Sequence, residues 1–189
     1  MIYVHVPFCG SFCTYCDFYS EIGSTFAYKL YTDGICDEID RRREEISPEP
    51  RTLYFGGGTP SVLPLPHLGR IVGALKDFAP FTEFTLEVNP EDIRDKGAEY
   101  VLGLRSLGVN RISMGVQSFD DGELRMMNRR HDAAGAMEAF GILRDCGVGN
   151  ISLDLIFGAS WMRTASWAET LRLAVLLRPE HISCYQLSV

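Results

Sequence analysis

Short apolar runs alternate along the chain with longer amphipathic stretches. Ile2, Val4 and Val6 alternate with Tyr3 and His5, the period of a half-buried strand, and Pro7 stops it. Ser24 or Thr25 is placed to cap a helix running to about residue 45, with Ala27, Leu30, Tyr31, Ile35 and Ile39 on one stripe. Ser47-Pro48-Glu49-Pro50 breaks it. Further strands are expected over 52–55, 83–88, 110–116, 150–157 and 181–187, and further helices over 66–78, 96–107, 133–146 and 167–177. Asn89-Pro90 stops the third strand, and Gly108 and Gly147 follow helices in the usual C-cap place. Ser160 and Thr164 are candidate caps for the last helix.

Six strands alternating with five helices predict an α/β fold with a parallel sheet and right-handed crossovers. The residues with chemical potential fall just past the carboxyl ends of strands one to five. A doubly wound sheet concentrates ligands at one topological switch point, whereas a barrel uses the ends of many strands. The expectation is therefore an open, partial (β/α)6 TIM-like barrel occupying residues 1–189.

Candidate chemistry starts with Cys9-Gly10-Ser11-Phe12-Cys13-Thr14-Tyr15-Cys16, three cysteines with three and then two residues between them. A zinc ion wants a fourth ligand, and His5 is available for one. Iron–sulfur clusters are usually held by four cysteines, so three local ligands on a four-iron cluster leave one iron open. No nearby fourth cysteine closes the site, and position 18, two beyond Cys16, is Phe18. The start Met1-Ile2-Tyr3-Val4 has neither a basic nor an apolar leader region, so a reducing, cytoplasmic setting is expected, which disfavours a disulfide. Cys36, Cys146 and Cys184 lie far apart and are read as small core residues.

Other positions carry a ligand reading beside a structural one. Gly56-Gly57-Gly58-Thr59-Pro60-Ser61 permits close backbone approach to a ligand or forms a tight turn. It lacks the Lys-Ser/Thr ending of a phosphate loop. Glu87 is a rim carboxylate that need not be buried, and Gln117 a strand-tip amide. Arg129 suits bidentate capture of a carboxylate, with Arg130 and His131 read as exposed. Asp154 stands inside an apolar run and therefore needs a ligand or an arginine partner.

The net charge is −7, and the one basic run, Arg41-Arg42-Arg43, is followed by Glu44-Glu45, a solvated helix face. Nucleic acid is not an expected partner. No apolar run reaches membrane-spanning length. With 46% hydrophobic and 23% charged residues, the 189-residue chain is long enough for one substantial core.

The three-cysteine spacing, with Tyr15 before the last cysteine, resembles the signature of the radical S-adenosylmethionine (radical SAM) superfamily. The flanks Tyr3-Val4-His5-Val6-Pro7-Phe8-Cys9 and Cys16-Asp17-Phe18 resemble the oxygen-independent coproporphyrinogen III oxidase-like group, which includes the heme chaperone (HemW) branch. The oxidases of that group have a further cysteine where this chain has Phe18, so the resemblance leans to the chaperone branch. It implies a [4Fe–4S] cluster on Cys9, Cys13 and Cys16, with SAM on the open iron. One electron from the cluster would cleave SAM to a 5′-deoxyadenosyl radical that takes a hydrogen atom from substrate. The resemblance further implies SAM contacts from Tyr3, Tyr15, Gly57, Gly58, Thr59, Glu87, Gln117, Arg129 and Asp154. It also implies a heme or porphyrin partner and a flavodoxin- or ferredoxin-type electron donor. The group's usual Gly-Leu-Pro-x-Gln-Thr is replaced here by Gly158-Ala159-Ser160-Trp161-Met162-Arg163, which puts that loop's contact in question. Group members carry a further carboxyl-terminal domain, so this chain is expected to be a fragment or the product of a truncated gene. Heme binding assigned to that domain is not carried over.

Overall fold

The computed structural model describes residues 1–46 and 49–187. The Ser47-Pro48 part of the expected helix break lies outside the described residues. Six parallel strands form one sheet: β1 (Ile2–Val6), β4 (Thr52–Gly57), β5 (Glu83–Val88), β6 (Arg111–Gln117), β7 (Ile151–Phe157) and β8 (His181–Gln186). Their spatial order is their chain order, β1-β4-β5-β6-β7-β8, as expected of an open, partial barrel.

Sequential order with right-handed crossovers puts the connecting helices on one side of the sheet. These are α1 (Thr25–Arg41), α2 (Leu65–Ala74), α3 (Pro90–Ser106), α5 (Ala133–Asp145) and α6 (Thr164–Leu176). Strand alternation does the sorting. Leu53 and Phe55, then Phe84, Leu86 and Val88, then Ile112, Met114 and Val116, then Leu153 and Leu155 are buried in the core. The intervening positions form the concave face, with Tyr54, Glu87 and Asp154 half-buried on it. The polar residues of this face are the raw material of the site.

Several boundaries differ from the sequence expectation. Helix α3 starts at Pro90, which takes the first helical position; the expected 96–107 helix is its second part, and the segment before Gly97 was not anticipated. It consists of two helical segments joined at Gly97 (φ 65°). Helix α1 stops at Arg41, and residues 43–45 form a separate 3-10 turn. Ser24 caps α1 as expected, accepting from the Ala27 amide at 3.2 Å. Neither Ser160 nor Thr164 caps α6, whose N-cap position is Arg163 with no side-chain cap bond.

Two features were not anticipated. Phe8–Cys9 (β2) pairs in parallel with Glu21–Ile22 (β3), so the cysteine loop is pinned at both ends. A short helix α4 (Asp121–Met126) follows β6, its Asp120 accepting from the Gly122 and Glu123 amides. Among the free cysteines, Cys146 is buried and Cys36 half-buried, but Cys184 is exposed, against the expectation of a core residue. It lies on β8, an edge strand whose side chains are mostly exposed. No helix among the described residues is long and apolar enough to cross a membrane.

Candidate functional site

A cleft of about 500 Å³ opens at the carboxyl ends of the strands. Cys9, Cys13, Cys16 and Tyr15 line it from the β2–β3 loop, and Gly57, Gly58 and Thr59 from the end of β4. Glu87, Gln117, Arg129 and Asp154 line it from β5, β6, the turn after α4, and β7. Tyr3 is the exception among the expected site residues. It stacks on Tyr54, with ring centroids 5.9 Å apart, and reaches the site only through the Tyr54 hydroxyl, which donates to Glu87 Oε1 at 2.6 Å.

The glycine loop is bound to the cysteine loop by backbone. The Gly58 amide donates to the Val6 carbonyl and the Thr59 amide to the Phe8 carbonyl, both at 2.7 Å. A Cβ on residue 58 would lie 2.6 Å from the Phe8 oxygen, which explains glycine there. Gly57 has φ +112°, a region other residues rarely adopt. Beneath the loop, Ser61 donates to Asp92 Oδ2 at 2.6 Å and accepts from the Asn89 amide. Lys96 and Tyr100 donate to the Ser61 carbonyl.

Burial pushes both concave-face carboxyls above the usual carboxylate range. The Asp154 charge further opposes ionisation of Glu87, where the Tyr54 and Gly57 bonds only partly compensate. Asp154 accepts from the Ser113 hydroxyl at 2.9 Å, so its direct partner is a hydroxyl and Arg111 acts on it only through charge. This cleft favours a cationic ligand group beside the two carboxyls.

Arg129 carries the site's positive charge. Its Nη2 donates to Asn89 Oδ1 at 2.6 Å and to the Gly115 carbonyl at 2.7 Å, and its Nη1 to Cys13 Sγ at 3.5 Å. Nε is buried with no partner among the described residues. Burial works against the guanidinium charge, but Tyr15, Glu91 and Cys13 outweigh it and hold Arg129 firmly cationic. Arg130 is exposed as expected. His131 is not: it is buried, its Nδ1 3.1 Å from Glu91 Oε2 and its Nε2 3.1 Å from the Val116 carbonyl. This ties the start of α3 to the end of β6.

The donor set fits an iron–sulfur cluster. The three cysteines are free thiols around one mouth. Three cysteines lining one cleft are the ligand number that leaves one iron of a four-iron cluster open. Two sulfurs already receive donors, Cys9 from the Thr59 hydroxyl at 3.6 Å and Cys13 from Arg129. The orphaned Arg129 Nε beside them offers a further N–H.

Sequence reasoning missed Asn89, Ser113, the Tyr185-Gln186 end of β8 and Leu187 after it, all of which line the cleft. Ser113 was readable, since strand parity places it in the same row as Glu87. The divergent residues 158–163 are not among the cleft's lining. Arg163 pairs with Asp120 at 3.6 Å instead, and the Phe157 and Trp167 rings meet beside the loop at 5.2 Å.

The radical SAM superfamily model matches residues 3–179. A heme chaperone HemW from Synechocystis sp. is 35% identical over 98% of this chain and 46% of its own length. The Bacillus subtilis heme chaperone HemW is 34% identical over 99% of this chain and 50% of its own. The solved structure of coproporphyrinogen III oxidase (HemN) from Escherichia coli, a radical SAM enzyme, superposes with a TM-score of 0.88 at 29% identity. It covers 99% of this chain and 44% of that one. The chain thus spans about half the length of the curated relatives it matches. The cysteine loop, the glycine loop and the strand-end polar residues meet in one cleft on a six-stranded parallel sheet, and the chain belongs to the radical SAM superfamily.

Proposed function

We propose that this chain is the cluster- and SAM-binding core of a heme- or porphyrin-handling radical SAM protein of the heme chaperone type. The observation that carries this reading is the convergence of Cys9, Cys13 and Cys16 with the Gly57–Thr59 loop on one cleft. Superfamily membership implies a [4Fe–4S] cluster and SAM. When bound, they supply one-electron cleavage of SAM and a carbon radical able to take hydrogen from an organic substrate.

The protein's part is to bind, orient and exclude. Cys9, Cys13 and Cys16 hold the cluster. Glu87 and Asp154 offer acceptors for the cationic amino group and ribose hydroxyls of SAM. Arg129 balances charge at the thiolates and presents its free Nε to an anionic group. The Gly57–Gly58 backbone allows close approach, and Tyr15 shields one side of the mouth. The cofactor carries the radical chemistry, and these residues keep water and wrong partners from it. A one-electron donor of flavodoxin or ferredoxin type completes the reading.

The heme chaperone assignment is supported by the relatives at 34–35% identity and by Phe18, 75% exposed at the cleft where a fourth sulfur would otherwise stand. A second reading, decarboxylation of coproporphyrinogen III, is favoured by the 0.88 superposition on the oxidase. Anaerobic iron–sulfur reconstitution, followed by electron paramagnetic resonance with and without SAM, tests the core. The expected result is a cubane signal that changes on SAM addition and is lost in Cys13→Ala. A colourless protein with stoichiometric zinc would overturn it. Heme retained through purification supports the chaperone reading. Anaerobic release of carbon dioxide from coproporphyrinogen at enzyme-like rates replaces it with the oxidase.

A further inference from the structure

Asn89 sits at the hub of the donors that reach the cysteine sulfurs, and it ligates nothing itself. Its Nδ2 donates to Thr59 Oγ1 at 3.1 Å, and its Oδ1 accepts from Arg129 Nη2 at 2.6 Å. Thr59 has one hydroxyl proton. With Asn89 donating to its oxygen, that proton goes to Cys9 Sγ at 3.6 Å. Arg129, held by Asn89 and by the Gly115 carbonyl, turns Nη1 to Cys13 Sγ at 3.5 Å. One amide therefore aims two donors, one from the end of β4 and one from the turn after α4, at two of the three sulfurs. The amide's own orientation is fixed by these partners, since the guanidinium can only donate and must face the Asn89 oxygen.

Asn89 is itself held. Its backbone amide donates to Ser61 Oγ at 3.2 Å, and Ser61 is fully buried and bonded to Asp92. Thr59 is 6% exposed, so its hydroxyl has little access to water as an alternative partner. The arrangement is a built hydrogen-bond chain, Arg129–Asn89–Thr59, with a sulfur at each end.

We propose that Asn89 is a positioning residue that sets the reduction potential of the cluster by aiming Thr59 at Cys9 and Arg129 at Cys13. This rests on the cluster-binding reading above. A donor to a thiolate sulfur withdraws negative charge, and reduction adds one electron to the cluster, from the 2+ to the 1+ state. The bonds strengthen as that charge arrives, so they favour the reduced form. Reduction by an external one-electron donor becomes easier, and no atom is gained or lost.

The test is a redox titration of reconstituted protein with dithionite as electron source, followed by the amplitude of the reduced-cluster signal. Wild type, Thr59→Val, Thr59→Ser, Asn89→Ala and the Thr59→Val/Asn89→Ala double variant are compared. Iron and sulfide content and circular dichroism identify any variant that has failed to fold. Thr59→Val should lower the midpoint, disfavouring reduction by roughly threefold to tenfold, the upper figure being about 59 mV for one electron. Thr59→Ser, which keeps the hydroxyl, should restore it. Asn89→Ala should lower it further, because both donors are released. In the double variant the shift should equal that of Asn89→Ala alone, since Thr59 acts through Asn89's aim. Equal midpoints in wild type and Thr59→Val, with the cluster intact in both, would overturn the inference while leaving the cluster reading standing. Fully additive shifts would also overturn it. A wild-type chain that takes up no cluster would sink both.

Discussion

His131 is a residue whose role was hidden from the sequence. Its side chain is fully buried against Glu91, which is itself 8% exposed. Replacing it with alanine leaves a buried carboxylate without its partner, and the expected loss is about 3 kcal/mol, measured as a lower midpoint in urea unfolding. Glu91→Gln should cost less, because it removes the charge along with the pairing. If His131→Ala unfolds at the wild-type midpoint, the pair is not structural. Asp154 makes a second prediction at this scale. Burial raises its proton affinity in the folded state, so folding takes up protons. Its contribution to stability therefore falls as pH rises through and above the ordinary carboxylate range. Asp154→Asn keeps an acceptor for Ser113 and should raise the stability of the cofactor-free protein at pH 8 while flattening its pH dependence. A variant less stable than wild type at pH 8 would refute this. Both residues show where single-residue reading stops. Asp154 was legible as an acid inside an apolar run. His131 was not, because the partner that makes burial affordable lies 40 positions away.

At the scale of elements, the long periodic strands and helices were legible, and so was the placing of the glycine loop at a strand end. The misses have local causes. Pro90 reads equally as a strand stop or as the first residue of a helix, and only the course of α3 decides. Helix α4 is too short to show a period, although Asp120 followed by Glu123 at three residues is a readable start signal. Strands β2 and β3 have two residues each, too few for any alternation. Yet this small sheet, with the glycine loop bonded across it, decides where the cysteines stand. Gly58→Ala tests that junction. The added Cβ meets the Phe8 carbonyl at 2.6 Å, a backbone atom that cannot rotate away. The expected cost is about 1–3 kcal/mol, with reduced iron uptake on reconstitution. Unchanged stability and iron content would show that the two loops are not rigidly joined.

For the whole molecule, the open sheet predicts a gradient of local stability. Strand β6 lies between two neighbours and carries the buried Ile112, Met114 and Val116, whereas β8 is an edge with mostly exposed side chains. Amide hydrogen exchange should therefore be at least about tenfold faster in β8 than in β6. Equal protection would mean that the sheet opens only as one unit. Exposure of Cys184 belongs to this scale too: its place on a strand was readable, but an edge position depends on the course of the entire sheet.

Because the strands are laid down in order, the cysteines and the groups that surround them reach the ribosome exit at different times. Cys13 precedes its donor Arg129 by 116 residues. At about 5–20 residues per second this is an interval of roughly 6–23 s. During it, the nascent chain carries three free thiols without the guanidinium that later faces them. Metal insertion in that window would meet an unfinished pocket, open to oxidants and to competing ions. The closing of the pocket thus trails the synthesis of its cysteines, and the order of the sheet makes it so.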